Sequence, residues 1–322
     1  MSRFLVIGCG SIGERHTKNL LSLGQDVMVH DRDPVKLQNL VDKYRVIPYD
    51  FTSYHIPFTA WIIATPPKYH LPFAFEALNH NSHIFIEKPI SHTLDRVGEL
   101  LAKSEEQDRI IQVGYQFRFH PGLMLVKKLL DEGRIGKILS IRAEFGQYLP
   151  DWRPNVDYRD TYTAHNDQGG GIILDASHEV DYCRWLAGSE ITKVSCFASK
   201  LSSLNVDAED TAAILMRTTN NCIIEIHVDF TNRTYTRNCE LIGDKGTIRW
   251  DYNLMTIYLF DGKEHNLIYD SKDDMYLEEM VHFLACIEGK EKPKVDGETG
   301  KRVLEIALAA KESAKENKVM EV

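Results

Sequence analysis

A two-part α/β fold is predicted by two observations. The first third of the chain alternates short apolar runs with helical patterns, and beyond about His120 the runs are strand-like and follow one another directly. Strands alternating with helices imply β-α-β units and a doubly wound parallel sheet. Strands in succession, separated by turn signals, imply an antiparallel or mixed sheet. The expected division is 1–120 for the first domain and 121–322 for the second.

In order, "RFLVIG" reads as a buried strand, Ser11 to Leu23 as a helix and "DVMVHD" as a second strand. Pro34 opens a helix to about Tyr44, at a position where proline is tolerated. "TAWIIAT", "HIFIEKP" and "IIQVGYQ" read as further strands, with helices at His70 to Asn79 and His92 to about Ser104 between them. In the second part Pro121 begins a helix that ends near Gly133. The runs "KILSIRAEFGQYL", "ITKVSCFASK", "TAAILMRTT", "CIIEIHVDF" and "TIRWDYNLMTIYLF" follow, interrupted by a helix at about Ser177 to Leu186. Two helices, about Tyr276 to Gly289 and Glu298 to Asn317, close the chain and can pack back on the first domain.

Composition narrows the function. The chain has 322 residues, 43% hydrophobic and 26% charged, enough to bury a large core without staples. A formal net charge of −9 argues against a general nucleic-acid binder, which needs a basic face. The six cysteines form no C-x-x-C pair and no metal-ligand spacing, so no metal is expected and a reducing compartment is. There is no signal-like segment, and no run approaches the roughly 18 apolar residues of a membrane span. A cytoplasmic protein without membrane partners is expected.

"FLVIGCGSIGERHTKNL" carries Gly8, Gly10 and Gly13 in a G-x-G-x-x-G spacing between a strand and a helix, and "HDRD" puts Asp31 at the end of the next strand. In this context the motif predicts a Rossmann dinucleotide cradle: glycines let the backbone approach a pyrophosphate, the helix N-terminus faces the anion, and Asp31 accepts from the adenosine ribose. Asp31 repels a ribose 2′-phosphate and favours NAD. Arg32 pairs with such a phosphate or is a solvated loop charge, so NADP stays possible.

Four stretches together, "VIGCGSIG", "ATPPKYH", the "EKP" of Glu87, Lys88 and Pro89, and "GGGIILDASHEVDYCRWL", resemble the family of glucose–fructose oxidoreductase, inositol dehydrogenase and MocA (Gfo/Idh/MocA) over nearly the full chain. The resemblance implies an NAD(P)-dependent oxidoreductase moving a hydride between the nicotinamide and a secondary alcohol or ketone of a sugar, inositol or related polyol. It also implies a large open sheet in the second domain, through which such proteins assemble as homodimers or homotetramers. It places Lys88 near nicotinamide and substrate, and Asp175 and His178 in the substrate pocket. It adds Ser11, Ile12, Thr65, Pro66 and His70 to the cofactor set. Here only Ala176 and Ser177 separate acid and histidine, where many relatives have three residues.

The residues themselves agree. Lys88 ends a parallel strand, where ligands bind, and suits a developing alkoxide. Glu87 contacts the nicotinamide ribose or fixes the loop. His178 suits a general base and Asp175 its orienting partner or a ligand for a second hydroxyl. "DASHE" also reads as a helix start capped by Asp175 or Ser177. Asp181, one turn on, reads as structural. The long 147–168 loop offers Arg153, Tyr158, Arg159 and His165, for a polar substrate or a partner subunit. Tyr115 and Arg118 fall near the expected crevice, Arg118 as substrate ligand or interdomain salt bridge. Two other readings remain: an NAD-dependent glycoside hydrolase using transient oxidation, and a non-catalytic cofactor-binding protein.

Overall fold

The computed structural model describes residues 2–52, 56–153, 156–270 and 274–322, so positions 154 and 155 of the 147–168 loop lie outside the described residues. The chain divides into two units, Met1–Gln116 with Asp274–Arg302, and Phe117–Asp273 with Val303–Val322.

The first unit holds β1 (Arg3–Ile7), α1 (Ser11–Ser22), β2 (Asp26–His30), α2 (Pro34–Tyr44), β3 (Ile47–Pro48), β4 (Ala60–Ile63), α3 (His70–Asn79), β5 (His83–Glu87), α4 (Val97–Glu106) and β6 (Ile111–Gly114). Among the described residues these make a six-stranded sheet in the order β3-β2-β1-β4-β5-β6, parallel throughout. Four consecutive residues of β1 and all of β4 are buried, because helices cover both faces of a parallel sheet and no side of the strand meets water. Asp33 caps α2, accepting from the N–H groups of Val35 and Lys36, with Pro34 at the first helical position. Helix α4 begins at Val97 rather than His92. Ser91 accepts from the Thr93 N–H, and Arg96 takes a left-handed conformation, so the stretch before Val97 turns instead of coiling.

The second unit holds α5 (Pro121–Asp131), β7 (Ile138–Gly146), the short α6 (Ile172–Asp175), α7 (Ser177–Ala187), β8 (Ile191–Ser199), β9 (Thr211–Thr218), β10 (Ile223–Asp229), β11 (Thr236–Gly243), β12 (Thr247–Asp251), β13 (Thr256–Phe260) and β14 (Glu264–Ile268). With β15 (Met320–Glu321) these form a nine-stranded sheet, β14-β13-β12-β11-β7-β10-β9-β8-β15, among the described residues. Only the β7–β10 pair in it is parallel. "TIRWDYNLMTIYLF" is two strands, not one. Asp251 accepts from the Leu254 N–H in the turn, and no glycine announces it.

Burial alternates along β9 to β13, which is the pattern of a sheet with one packed face. The register puts Leu215, Glu225, Arg142, Glu240, Arg249 and Tyr258 in one row across the other face.

Two helices follow, α8 (Met275–Ile287) and α9 (Gly297–Glu316). In the first unit α8 packs on α1. Its Met280 and Phe283 join Phe4, Val6, Leu20 and Phe85 in the core.

Candidate functional site

The glycine turn is built by close contact. Gly8 sits at φ +98°, and a Cβ there would stand 2.6 Å from the Ala64 carbonyl oxygen. A Cβ on Gly13 would lie 1.8 Å from the Gly8 carbonyl oxygen, so α1 can start where it does only with glycine at that place. Around Gly10 the space is open, and as N-cap it offers α1 no side chain. The first-turn N–H groups of Ser11, Ile12 and Gly13 have no partners within the helix, an arrangement suited to a phosphate. Asp31 holds the turn in register: Oδ2 accepts from the Cys9 N–H at 2.6 Å and Oδ1 from the Asp33 N–H at 2.8 Å. Each carboxylate oxygen keeps a second lone pair for a ribose hydroxyl. The turn therefore fits a dinucleotide. Arg32 is exposed; its guanidinium lies 5.2 Å from the centre of the Tyr69 ring, with Nη1 3.3 Å from that hydroxyl.

Beside it, Thr65 and Pro66 follow β4, half-buried. His70 is fully buried and faces the carbonyl oxygens of Thr65 (2.8 Å) and Pro89 (2.9 Å). It thus ties the turn after β4 to the E-K-P turn. Burial pushes its pKa down. Lys88 is half-buried at the carboxyl end of β5, and the Lys88–Pro89 peptide is cis. Glu87 fixes the loop. Its Oε1 lies 2.7 Å from Nε2 of the fully buried His16, and its Oε2 accepts from the Lys88 N–H at 3.3 Å.

In the second unit, Asp175 ends α6 and Ala176 is the N-cap of α7, with no side-chain cap. The expected capping by Asp175 or Ser177 is therefore absent: Ser177 already lies inside α7, and Asp175 Oδ1 instead accepts from the Tyr162 hydroxyl at 2.7 Å. His178 packs edge-on against Phe117, ring centres 5.1 Å apart. Two buried ion pairs hold the same helix. Arg118 grips Asp181 with two bonds of 2.7 and 2.8 Å, and Arg237 Nε stands 2.9 Å from Glu179 while its guanidinium lies between the Phe117 and Phe145 rings. Arg118 thereby anchors the helix, with Nε and Nη2 on a carboxylate of its own unit. Tyr115 is fully buried.

The loop candidates scatter. The Tyr158 hydroxyl accepts from the Asn205 N–H, Arg159 pairs with Asp157, and His165 Nε2 faces the Arg159 carbonyl at 2.8 Å. Arg153 is half-buried. Tyr162, absent from the sequence reading, is the loop residue that reaches Asp175; its only signal was its place in an aromatic stretch just before three glycines. His16 was missed in the same way, one turn inside the helix that the glycines open.

All six cysteines are free and buried. Burial pushes Cys9 and Cys196 up to about 12, and Cys222 and Cys286 up to about 11, so these are thiols rather than nucleophiles. Among the described residues no group of three or more His, Cys, Asp or Glu is placed to hold a metal ion, and no helix is long and apolar enough to cross a membrane.

A family model described as "Oxidoreductase family, NAD-binding Rossmann fold" matches residues 2–115, and one described as the GFO/IDH/MocA C-terminal domain matches residues 123–249. The chain is 27% identical to the myo-inositol 2-dehydrogenase of Thermotoga maritima over 98% of its own length and 97% of that protein's. It is also 27% identical to the scyllo-inositol 2-dehydrogenase (NAD(+)) of Bacillus subtilis, over 97% and 93%. The crystal structure of the WlbA dehydrogenase from Bordetella pertussis in complex with NADH and UDP-GlcNAcA shares the fold, with a TM-score of 0.85 at 23% identity, covering 100% of this chain and 98% of that one.

Proposed function

We propose, from the premise that this chain belongs to the Gfo/Idh/MocA family of NAD-binding oxidoreductases, that it oxidises a secondary alcohol of a cyclic polyol or sugar. The observation that carries the reading is the glycine turn, where contacts at Gly8 and Gly13 and the two bonds of Asp31 form a seat for a dinucleotide. Relatives acting on inositols, and a neighbour holding a nucleotide sugar acid, support the substrate class.

Gly8, Gly10, Gly13, Ser11 and Ile12 hold the pyrophosphate through backbone, and Asp31 the adenosine ribose. NAD, when bound, supplies the hydride acceptor. The Lys88 ammonium donates a hydrogen bond to the alcohol oxygen and stabilises the charge that grows there. His178 takes the hydroxyl proton, for which an imidazole is matched near neutral pH. Asp175 orients the substrate by accepting from a neighbouring hydroxyl. The cytoplasm is the compartment this reading assumes, with its supply of free NAD and reduced thiols.

Assembly belongs to the same proposal. The outer sheet face exposes Phe197, Leu215, Tyr258 and Phe260 beside paired charges such as Arg142 and Glu225. A second copy covering it gives a homodimer or homotetramer, and light scattering at micromolar concentration returning a monomer would refute that part.

The test of the activity is NADH formation at 340 nm from myo-inositol, scyllo-inositol, UDP-N-acetylglucosamine and free hexoses, each repeated with NADP. Oxidation of at least one, faster with NAD, is expected. Bound NAD with no net reduction on any of them counts against the dehydrogenase reading.

A further inference from the structure

We propose that Tyr162 is a positioning residue for Asp175, seated by the glycines that precede α6. The inference rests on the dehydrogenase reading above, in which Asp175 binds substrate.

The Tyr162 hydroxyl donates to Asp175 Oδ1 at 2.7 Å. Asp175 is 6% exposed and Tyr162 half-buried, so one end of this bond lies inside the unit and the other near its surface. Backbone fixes the approach. A Cβ on Gly170 would lie 2.4 Å from the carbonyl oxygen of Tyr162, 2.6 Å from that of Thr163 and 2.7 Å from that of His165. Any side chain at 170 would therefore push the Tyr162 stretch away. Two backbone bonds close the seat: Gly170 N–H to the His165 carbonyl at 2.9 Å, and Gly171 N–H to the Thr163 carbonyl at 3.1 Å.

The other side of the same turn is clamped too. The Glu209 carboxylate would stand 2.5 Å from a Cβ on Gly171; its Oε1 accepts from the Ile173 N–H at 3.3 Å, and Lys311 pairs with its Oε2 at 3.3 Å. The Asp175 N–H in turn donates to the Gly171 carbonyl at 3.1 Å. The glycine turn is thus gripped between the Tyr162 stretch and Glu209, and it carries Asp175 one helical turn later.

A carboxylate fixed at its backbone can still rotate about its terminal torsion, which is broad. A tyrosine hydroxyl on Oδ1 stops that rotation. It sets the plane of the group and aims its remaining lone pairs in one direction, as partners of metal ligands do for those ligands. Tyr162 therefore acts on the reaction through Asp175, by holding a substrate hydroxyl in the geometry that hydride and proton loss both require.

The experiment is a double-mutant cycle of Tyr162→Phe and Asp175→Asn, read as kcat and KM with NAD on whichever of myo-inositol, scyllo-inositol, UDP-N-acetylglucosamine and the free hexoses the parent oxidises fastest. Tyr162→Phe is expected to lower kcat/KM by roughly 10- to 100-fold, the effect usual for removing such a supporting bond. It should leave NAD affinity and the melting temperature near the parent's. In the Asp175→Asn background the same change should do less than about twofold, because the two residues act as one unit. Gly170→Ala should reproduce the Tyr162→Phe loss; if that variant does not fold, the cycle decides alone. Parent-like turnover in Tyr162→Phe, or equal effects in both backgrounds, overturns this inference and leaves the dehydrogenase reading standing. A folded, NAD-binding parent that oxidises none of these substrates overturns both.

Discussion

At the end of β5 a carboxylate, Glu87, is held by His16, and at the start of α7 another, Glu179, is held by Arg237. Both partners reach across from elements distant in sequence, and both carboxylates adjoin a residue proposed to touch substrate, Lys88 in one unit and His178 in the other. The holding groups differ. An imidazole can donate its hydrogen bond with or without a charge, and Glu87 keeps a second bond to the Lys88 N–H. The guanidinium is permanently charged, and Glu179 is fully buried, so that pair stands only while both charges are present. The first unit fixes its loop with a link that tolerates loss of one partner. The second fixes its helix with a buried charge pair, the Tyr182 hydroxyl lying 3.4 Å from the same Glu179 oxygen, and adds Arg118 on Asp181.

The largest expected effect sets the two reactive residues side by side. His178→Ala should reduce turnover by roughly 10²–10⁴-fold, the share of general acid–base catalysis, which is about 3–5 kcal/mol at about 1.4 kcal/mol per tenfold. NAD affinity should hardly change. Lys88→Ala should slow turnover as well and weaken NAD binding more. Turnover per folded molecule beside calorimetric NAD binding separates them; His178→Ala with normal turnover would end its assignment.

The supports come next. Arg237→Leu leaves Glu179 buried without its guanidinium and should destabilise by about 3–5 kcal/mol, whereas the double change Glu179→Leu with Arg237→Leu should recover most of that. His16→Phe removes one bond of two from Glu87 and should lose only about 1–3 kcal/mol. Urea unfolding of the variants gives the ranking, and equal losses for Arg237→Leu and His16→Phe would erase the contrast drawn between the two links.

A smaller effect follows pH. Burial, with Arg237 nearby, pushes His120 from its ordinary 6.5 down to about 4. The unfolded chain takes up this proton below about 6.5 and the folded chain only near 4, so stability is full above that window and falls as pH drops through it. The loss attributable to His120 is of order 3 kcal/mol, at about 1.4 kcal/mol per pH unit of displacement. His70, His83 and His282 in the first unit are lowered by burial too. His120→Phe should flatten the acid limb only in part. An unfolding free energy that is the same at pH 7 and pH 4.5 in the parent would contradict the burial argument for all four.

The parallel sheet and the glycine turn were legible in the sequence because both are local. Strand–helix alternation and three glycines within six residues report contacts among near neighbours. The carboxyl-end position of Lys88 followed from the same reasoning. The edge strands were not legible. β14 is half-exposed and polar, and β3 and β15 are two residues long, so none presents an apolar run. Nor were the links that fix the site, since His16 and Glu87 are 71 positions apart and nothing in either neighbourhood names the other. Arg118 and His70 carried chemically suitable side chains in plausible places. What turned them into anchors was a partner brought by the fold, Asp181 for one and two backbone carbonyls for the other.

The buried thiols give the molecule a set of built-in clocks. Cys9 and Cys286 lie in the first unit, and Cys183, Cys196, Cys222 and Cys239 in the second. With no thiol at the surface, an alkylating reagent can react only in moments when the surrounding structure opens. The order in which the six are modified, read by mass spectrometry, therefore times the opening of each unit separately within one chain. Cys9 has a further use. Its N–H is tied to Asp31 in the glycine turn, so its own clock should slow when the dinucleotide seat is filled while the four in the second unit keep their pace.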